Sequence, residues 1–354
     1  MKRVDYFSLI DFMNSPGVAN KLVNTVEAFN KSGYDANSYF FPLSVKGGLK
    51  MLVAASKSKA DFIIIRYSLI FAPLLFFVIC YLRMSGKKVV VDVPTPRTVV
   101  AKETLHAKKK SILNIFKFVV LILSGSWVLW PANRVIQYST ESTWFSFGLL
   151  SKTKKMGNGI IVENMPLSES KWDGKQPIEI ISVALIAYWH GYDRLIRAMH
   201  ELEKIKPNMF NLTIVGDGEE LEALKKLVLE LKLSNIRFTG MLDHNGLNKE
   251  FSKAHIGVSS LGLHRKGLYE AADLKTREYA ARGLMILGAG EDIDFSDEIE
   301  FRLKVPCDET IEPIIDALQG ITLDTIVSKE KVRTFALERL SMEVKVKEML
   351  LRLS

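Results

Sequence analysis

The sequence predicts an α/β protein of two doubly wound domains, and three observations carry that prediction. At 354 residues the chain favours two domains over one. Its second half alternates apolar strand segments with amphipathic helical ones, the pattern of a parallel sheet covered by helices. Between the halves, Asn164 to Pro177 (NMPLSESKWDGKQP) is polar and holds both Pro and Gly, the composition of a linker. The expected division is a first domain at 1–165, a linker at 166–177, a second domain at 178–323 and a helical tail at 324–354.

Tyr6 to Ile10 opens the chain as a strand, and Asn14-Ser15-Pro16-Gly17 is a turn. Ala19 to Asn30 places Leu22, Val23, Val26 and Phe29 on one helical face. Strand, glycine turn and helix together open a doubly wound domain, and Gly17 is a candidate for close backbone approach to a ligand. Asp61 to Tyr67 (DFIIIRY) and Lys87 to Val93 (ending KVVVDV) read as buried strands, Arg134 to Ser139 as another, and Glu141 to Leu150 as a helix. Two runs are almost wholly apolar: Ser68 to Leu82 (SLIFAPLLFFVICYL) and Phe118 to Trp130 (FVVLILSGSWVLW). Pro73 breaks the first and Ser-Gly-Ser the second, and a span needs roughly 20 apolar residues. Core helices and monotopic membrane attachment are the two readings they leave.

Charge favours attachment. Residues 1–165 hold 22 Lys and Arg against 9 Asp and Glu, while 166–354 hold 26 against 31. A basic first half beside apolar runs, with Trp127 and Trp130 suited to an interface, points to an anionic membrane surface as partner. No basic-aromatic stacking module accompanies the charge, so nucleic acid is excluded as a partner. Cys80 and Cys307 give neither a disulfide framework nor a metal pattern, and no secretory signal opens the chain, so a cytoplasmic location is expected.

The second half is regular. Strand Ile178 to Val183 precedes helix Tyr192 to Ile205, strand Leu212 to Val215 precedes helix Glu219 to Leu233, and strand Ile236 to Thr239 precedes a helix ending near Ala254. Strand Ile256 to Ser260 then leads into HRKGLYEAADLKTREYAARGLMIL, from His264 to Leu287. Asp273 is the helix N-cap, Gly283 the residue just past its end, and Leu284 to Leu287 a short buried strand. The first-turn amides of Leu274, Lys275 and Thr276 lack intrahelical partners and, with the helix dipole, suit an anion such as a diphosphate.

Glu270 and Glu278 form E-x7-E in that stretch, followed by small residues, a glycine and an apolar strand. The arrangement resembles the donor-site motif of retaining GT-B glycosyltransferases of the family-four type, and Trp189-His190-Gly191-Tyr192-Asp193 resembles a variant among those that build bacterial surface polysaccharide such as capsule or lipopolysaccharide. The resemblance covers 178–290 closely and 1–165 in outline. It implies a GT-B fold: two Rossmann-like domains facing a cleft, with a terminal helix crossing back to the first. It implies that Glu270 acts on the donor sugar, that Glu278 holds the ribose, and that the amides of Leu274, Lys275 and Thr276 hold the diphosphate of a nucleotide sugar. Neither a cofactor nor a metal is implied. The acceptor is expected to be a lipid-linked glycan or polysaccharide repeat at the cytoplasmic face of the inner membrane.

The match departs at two places. The family's Arg and Lys after the first strand of the second domain are replaced by Leu185 and His190. His190, Arg194, Lys275, Arg265 and Lys266 are the candidate substitutes. The family's His after the strand at Val89 to Val93 is also absent, because the loop reads Pro94-Thr95-Pro96-Arg97; Glu103 is the candidate catalytic substitute, with His106 farther on. Two other classes share these features: a nucleotide-sugar 2-epimerase, which has no use for the apolar basic half, and a non-catalytic membrane-bound assembly factor, which has no use for both glutamates.

Overall fold

The computed structural model describes residues 1–10, 16–105, 112–351 and 353, and divides into two compact units. The first is Met1–Gly159 with Met342–Ser354, and the second is Ile160–Ser341. The division thus falls before the expected linker at 166–177. That polar run stays with the second unit because its polar groups are satisfied there. Ser168 N–H donates to Arg282 O and Ser170 N–H to Ser252 O, both at 2.9 Å, and Lys329 Nζ donates to Ser168 O at 3.1 Å. The expected tail at 324–354 is split too, with the chain from Met342 onward belonging to the first unit.

In chain order the first unit contains β1 (Arg3–Ile10), α1 (Pro16–Lys31), β2 (Asp35–Pro42), α2 (Val45–Ser56), β3 (Phe62–Arg66) and α3 (Ala72–Met84). There follow β4 (Lys88–Val93), α4 (Arg97–Leu105), α5 (Ile112–Ser124), β5 (Arg134–Gln137), α6 (Thr143–Ser146) and β6 (Thr153–Lys155). The strands form one parallel sheet in the order β2-β1-β3-β4-β5-β6. The central strands β3 and β4 are runs of Ile and Val because both of their faces are covered. Phe7, Ile63, Ile65 and Val91 point toward α2 and α3. Tyr6, Arg66 and Asp92 alternate to the other side, where Lys21 of α1 lies 3.8 Å over the Tyr138 ring. Burial opposes charge on Asp92, but Lys21 and Arg66 hold its carboxyl below the ordinary range.

The structure corrects several elements. The helix expected at Glu141 to Leu150 is the single turn α6, because the Glu141 carboxylate serves another helix. It accepts from Arg97 N–H at 2.6 Å and Thr98 N–H at 3.1 Å, at the start of α4. Strands β2 and β6 and helix α2 were not anticipated. The first apolar run becomes a turn at Leu69–Phe71 followed by α3, and the second becomes the end of α5 and a turn at Trp127–Leu129. Among the described residues no helix is long and apolar enough to cross a membrane.

The second unit contains β7 (Ile178–Val183), α7 (Tyr192–Ile205), β8 (Phe210–Val215), α8 (Leu221–Glu230), β9 (Ile236–Gly240) and α9 (His244–Lys253). It continues with β10 (Ile256–Val258), α10 (Leu274–Ala281), β11 (Met285–Ala289), β12 (Arg302–Val305), α11 (Glu312–Gln319) and α12 (Lys329–Phe335). Its parallel sheet runs β12-β11-β10-β7-β8-β9, so the order reverses between β7 and β10. Helix α10 is seated on that reversal by Tyr279. The Tyr279 ring fills the space above Gly257, where a Cβ would lie 2.3 Å from the ring. Its hydroxyl donates to Val258 O at 3.2 Å and accepts from Val183 N–H at 3.1 Å. The final helix α13 (Met342–Leu350) returns to the first unit and buries Met342 and Val346 beside α1.

Candidate functional site

The loops leaving the carboxyl ends of β7 and β10 diverge where the strand order reverses, the position at which open parallel sheets bind ligands. The two loops are tied together. Leu261 N–H donates to His190 O at 2.8 Å. Gly191 has φ +66, and a Cβ there would stand 2.7 Å from Gly262 N, so the approach requires glycine.

Helix α10 starts at this junction. Asp273 is its N-cap, accepting from Thr276 N–H at 3.1 Å and from Ser259 Oγ at 2.9 Å. Burial works against charge on Asp273, but Lys275 and the Thr276 and Ser259 bonds keep its carboxyl below the ordinary value. The cap corrects one expectation: the Thr276 amide is consumed by Asp273, which leaves the amides of Leu274 and Lys275 at the open end.

His190 and Lys275 come together beside those amides. His190 Nδ1 accepts from Ala187 N–H at 3.0 Å, which puts the ring proton on Nε2. The ring stacks on Tyr192 at 5.3 Å, and Lys275 Nζ lies 3.4 Å from the Tyr192 hydroxyl. Burial, reinforced by Lys275, pulls the imidazole down to about 3. His190 is therefore a neutral N–H donor at physiological pH, and Lys275 supplies the charge. Among the described residues no carboxylate lies within 4.0 Å of the Lys275 ammonium.

Arg194 is not part of this cluster, contrary to expectation. Its guanidinium is buried under the loop and donates to Leu261 O and Thr310 O, so it holds the loop up instead of facing a ligand. Arg265 is likewise spent. It pairs with Asp193 at 2.8 Å and Glu309 at 2.6 Å, and these bonds raise its pKa above the ordinary value. Lys266 lies 3.5 Å over the Trp189 ring.

The two glutamates occupy different settings. Glu278, one turn into α10, is half-buried and accepts from Arg282 Nε at 3.0 Å and Nη2 at 2.8 Å, both on Oε1. Arg282 is itself buried against Phe251, 4.1 Å from the ring. Glu270 lies on the loop before the cap, in a parallel bridge with Glu291. Ala271 N–H donates to Glu291 O at 3.0 Å, which fixes that loop to the end of β11. Leu185 is exposed, at the place of the missing cation. In the first unit Gly17 lies in the first turn of α1, with open space where a Cβ would be. Glu103 belongs to α4 and its side chain lies outside the described residues, as do His106, Asn14 and Ser15. Sequence reasoning missed the Ser259–Asp273–Thr276 triangle and the Arg282 clamp on Glu278. The clamp has a local signal, an arginine four residues after the glutamate on one helix; the triangle has none.

Residues 168–288 match the family model described as glycosyl transferases, group 1. This stretch of the second unit is similar to the group 1 glycosyl transferases. Its reversal point, capped helix and E-x7-E pair all lie within the matched stretch. An uncharacterized glycosyltransferase of Methanocaldococcus jannaschii is 30% identical over 102 residues, which is 29% of this chain and 24% of that relative. The chain thus matches about a quarter of that relative's length. The structure is similar to Anabaena HepE in complex with UDP and glucose, with a TM-score of 0.66 and 14% identity, over 100% of this chain and 99% of that one. It is similar to the lipopolysaccharide outer core galactosyltransferase WaaB at a TM-score of 0.66 and 10% identity, over 99% and 100%. A glycosyltransferase from Rickettsia africae gives a TM-score of 0.61 at 14% identity, over 99% of both chains. These likenesses show the GT-B fold of two Rossmann-like domains.

Proposed function

We propose that this protein is a retaining hexosyltransferase that moves a sugar from a nucleoside diphosphate sugar to a lipid-linked or polysaccharide-repeat acceptor, at the cytoplasmic face of a membrane, in surface-polysaccharide synthesis. The observation that carries the proposal is the convergence of His190 Nε2–H, the Lys275 ammonium and the open amides of Leu274 and Lys275 at the reversal point of the group 1 domain. Preorganised donors and a cation at one spot are what a departing diphosphate needs. They supply its neutralisation without a metal, and no cofactor takes part. Retention follows the resemblance to retaining enzymes with the same glutamate spacing. The nucleotide-sugar donor follows the family and the named ligands of HepE.

In this reading Glu278 accepts from the ribose hydroxyls, with Arg282 fixing its carboxylate, and Glu270 contacts the hexose. Glu103 and Gly17 are the first unit's candidates, Glu103 for a catalytic role and Gly17 for donor binding. The test separates the two glutamates. Calorimetry with nucleoside diphosphate, and turnover with the nucleotide sugar that gives the largest thermal shift, are measured for Glu278→Ala and Glu270→Ala. Glu278→Ala is expected to weaken nucleoside diphosphate and nucleotide sugar alike, mainly in KM. Glu270→Ala is expected to leave nucleoside diphosphate affinity near that of the parent and to lower kcat, because its partner arrives only with the sugar. Loss of nucleoside diphosphate binding in both variants would refute the division of roles, and no effect in either would refute the donor site.

A further inference from the structure

The first unit presents a surface that a nucleotide site does not explain. α2 and α3 pack side by side over one side of its sheet, and α5 packs against α3. Their inward residues build the core: Met51, Leu52 and Ala55 from α2, and Leu75, Ile79 and Leu82 from α3. Their outward residues are apolar as well. α2 exposes Val45, Leu49 and Val53, one on each turn. α3 exposes Leu74, Phe77 and Tyr81, with Phe77 65% accessible. α5 exposes Ile115, Val119 and Leu123, with Leu123 70% accessible. A helix that covers a sheet in water carries polar residues on its outer face. Single exposed apolar side chains are ordinary, but contiguous stripes on neighbouring helices mark an interaction surface.

The charges on these helices choose the partner. Residues 45–56, 72–84 and 112–124 contain no Asp or Glu, and hold Lys46, Lys50, Arg83 and Lys117. Lys46 and Lys50 alternate with Val45, Leu49 and Val53 along one shallow groove. Three tryptophans lie in the segments after α5, Trp127 and Trp130 at the turn and Trp144 in α6. Their indole N–H groups are satisfied internally: Trp127 by Leu123 O at 2.8 Å, Trp130 by Phe147 O at 3.0 Å and Trp144 by Ile122 O at 3.2 Å. The rings are thereby fixed in place with no polar atom demanding water.

We propose that the α2–α3–α5 face docks onto an anionic lipid bilayer, its apolar stripes entering the boundary of headgroups and acyl chains while the lysines meet lipid phosphates. A second copy of the chain would bring the same acid-free basic surface and oppose like charges, whereas an anionic bilayer complements both features. The proposal concerns the first unit alone and stands whether or not the second unit binds a nucleotide sugar.

The test is flotation of the full chain with vesicles of phosphatidylcholine alone or mixed with phosphatidylglycerol. Binding to the mixed vesicles is expected, with weak binding to phosphatidylcholine. The double variant Phe77→Glu with Leu123→Glu is expected to lose vesicle binding by roughly tenfold or more, since two apolar side chains that enter the bilayer become charged. Its melting temperature should match the parent, because both positions are exposed. An independent readout needs no variant: lipids brominated on the acyl chain should quench tryptophan fluorescence of the parent protein. The proposal is overturned if the parent stays unbound on mixed vesicles at low salt, or if the double variant binds as well as the parent. It is also overturned if light scattering shows a dimer that the double variant converts to monomer with vesicle binding unchanged.

Discussion

Single side chains decide what the candidate site offers. The expected Arg and Lys after β7 are absent, and the charge comes from Lys275 on α10, next to a neutral His190. Lys275→Met is expected to weaken nucleoside diphosphate binding about ten- to a hundredfold, the worth of one charge-assisted hydrogen bond, and to leave nucleoside binding near that of the parent. Calorimetry with both ligands checks the difference; equal losses would mean that Lys275 acts on the fold and not on the phosphates. The histidines also make a prediction about acid. Burial and Lys275 lower His190 from 6.5 to about 3, and burial and Lys329 lower His255 from 6.5 to about 4. Between those values and 6.5 the unfolded chain takes up protons that the folded chain refuses. Stability should therefore fall as pH drops from 6.5 toward 4, by on the order of 1 kcal/mol per pH unit for each histidine. Thermal unfolding across that window measures it, and His255→Gln should remove its share. A melting temperature flat from pH 6.5 to 4 would contradict the assignment.

At the scale of elements, α10 holds the site together. It is only eight residues long, so its start depends on the cap more than on propensity. Asp273→Ala removes the acceptor of Thr276 N–H and of Ser259 Oγ together. The expected cost is about 1–2 kcal/mol of stability, and the open amides lose their fixed direction. Nucleoside diphosphate affinity should drop along with the melting temperature, while Asp273→Asn should restore most of the stability. A stable Asp273→Ala protein with full affinity would show that the cap does not aim the helix. The same scale explains which elements could be read beforehand. β3, β4, β7 and β10 lie inside their sheets, are covered on both faces, and show as apolar runs. The edge strands are β2, β6, β12 and β9, and of these only β9 is readable beforehand, by its place in the strand–helix alternation; the other three differ. They pair on one side only and tolerate Asp35, Asn37, Lys154 and Lys304, so no apolar run announces them.

At the scale of the molecule, the chain crosses from the first unit to the second near Gly159 and returns at Met342. α13 buries Met342, Val346, Met349 and Leu350, and its Glu343 lies 4.0 Å from Lys31 of α1. Deleting 342–354 should therefore destabilise the first unit while leaving the second unit able to bind nucleoside diphosphate. Calorimetry with and without ligand would separate the two transitions; loss of ligand binding in the truncated chain would show that the units depend on each other. What the sequence determined by itself was local. Alternating periodicity defined the two parallel sheets, Asp273 and Gly283 bounded α10, and the spacing of Glu270 and Glu278 pointed to the donor motif, because each depends on neighbours within a turn or a strand. What only the tertiary structure decided depends on groups far apart in the chain. Arg194 and Arg265 looked like phosphate ligands until Thr310, Asp193 and Glu309 were found to occupy them. Lys275 and His190 meet because β7 and β10 are adjacent. The two apolar runs left core and membrane attachment both open, with charge favouring attachment, since composition does not reveal which way a helix faces. Packing buries one side of α3 in the core and leaves Leu74, Phe77 and Tyr81 outside.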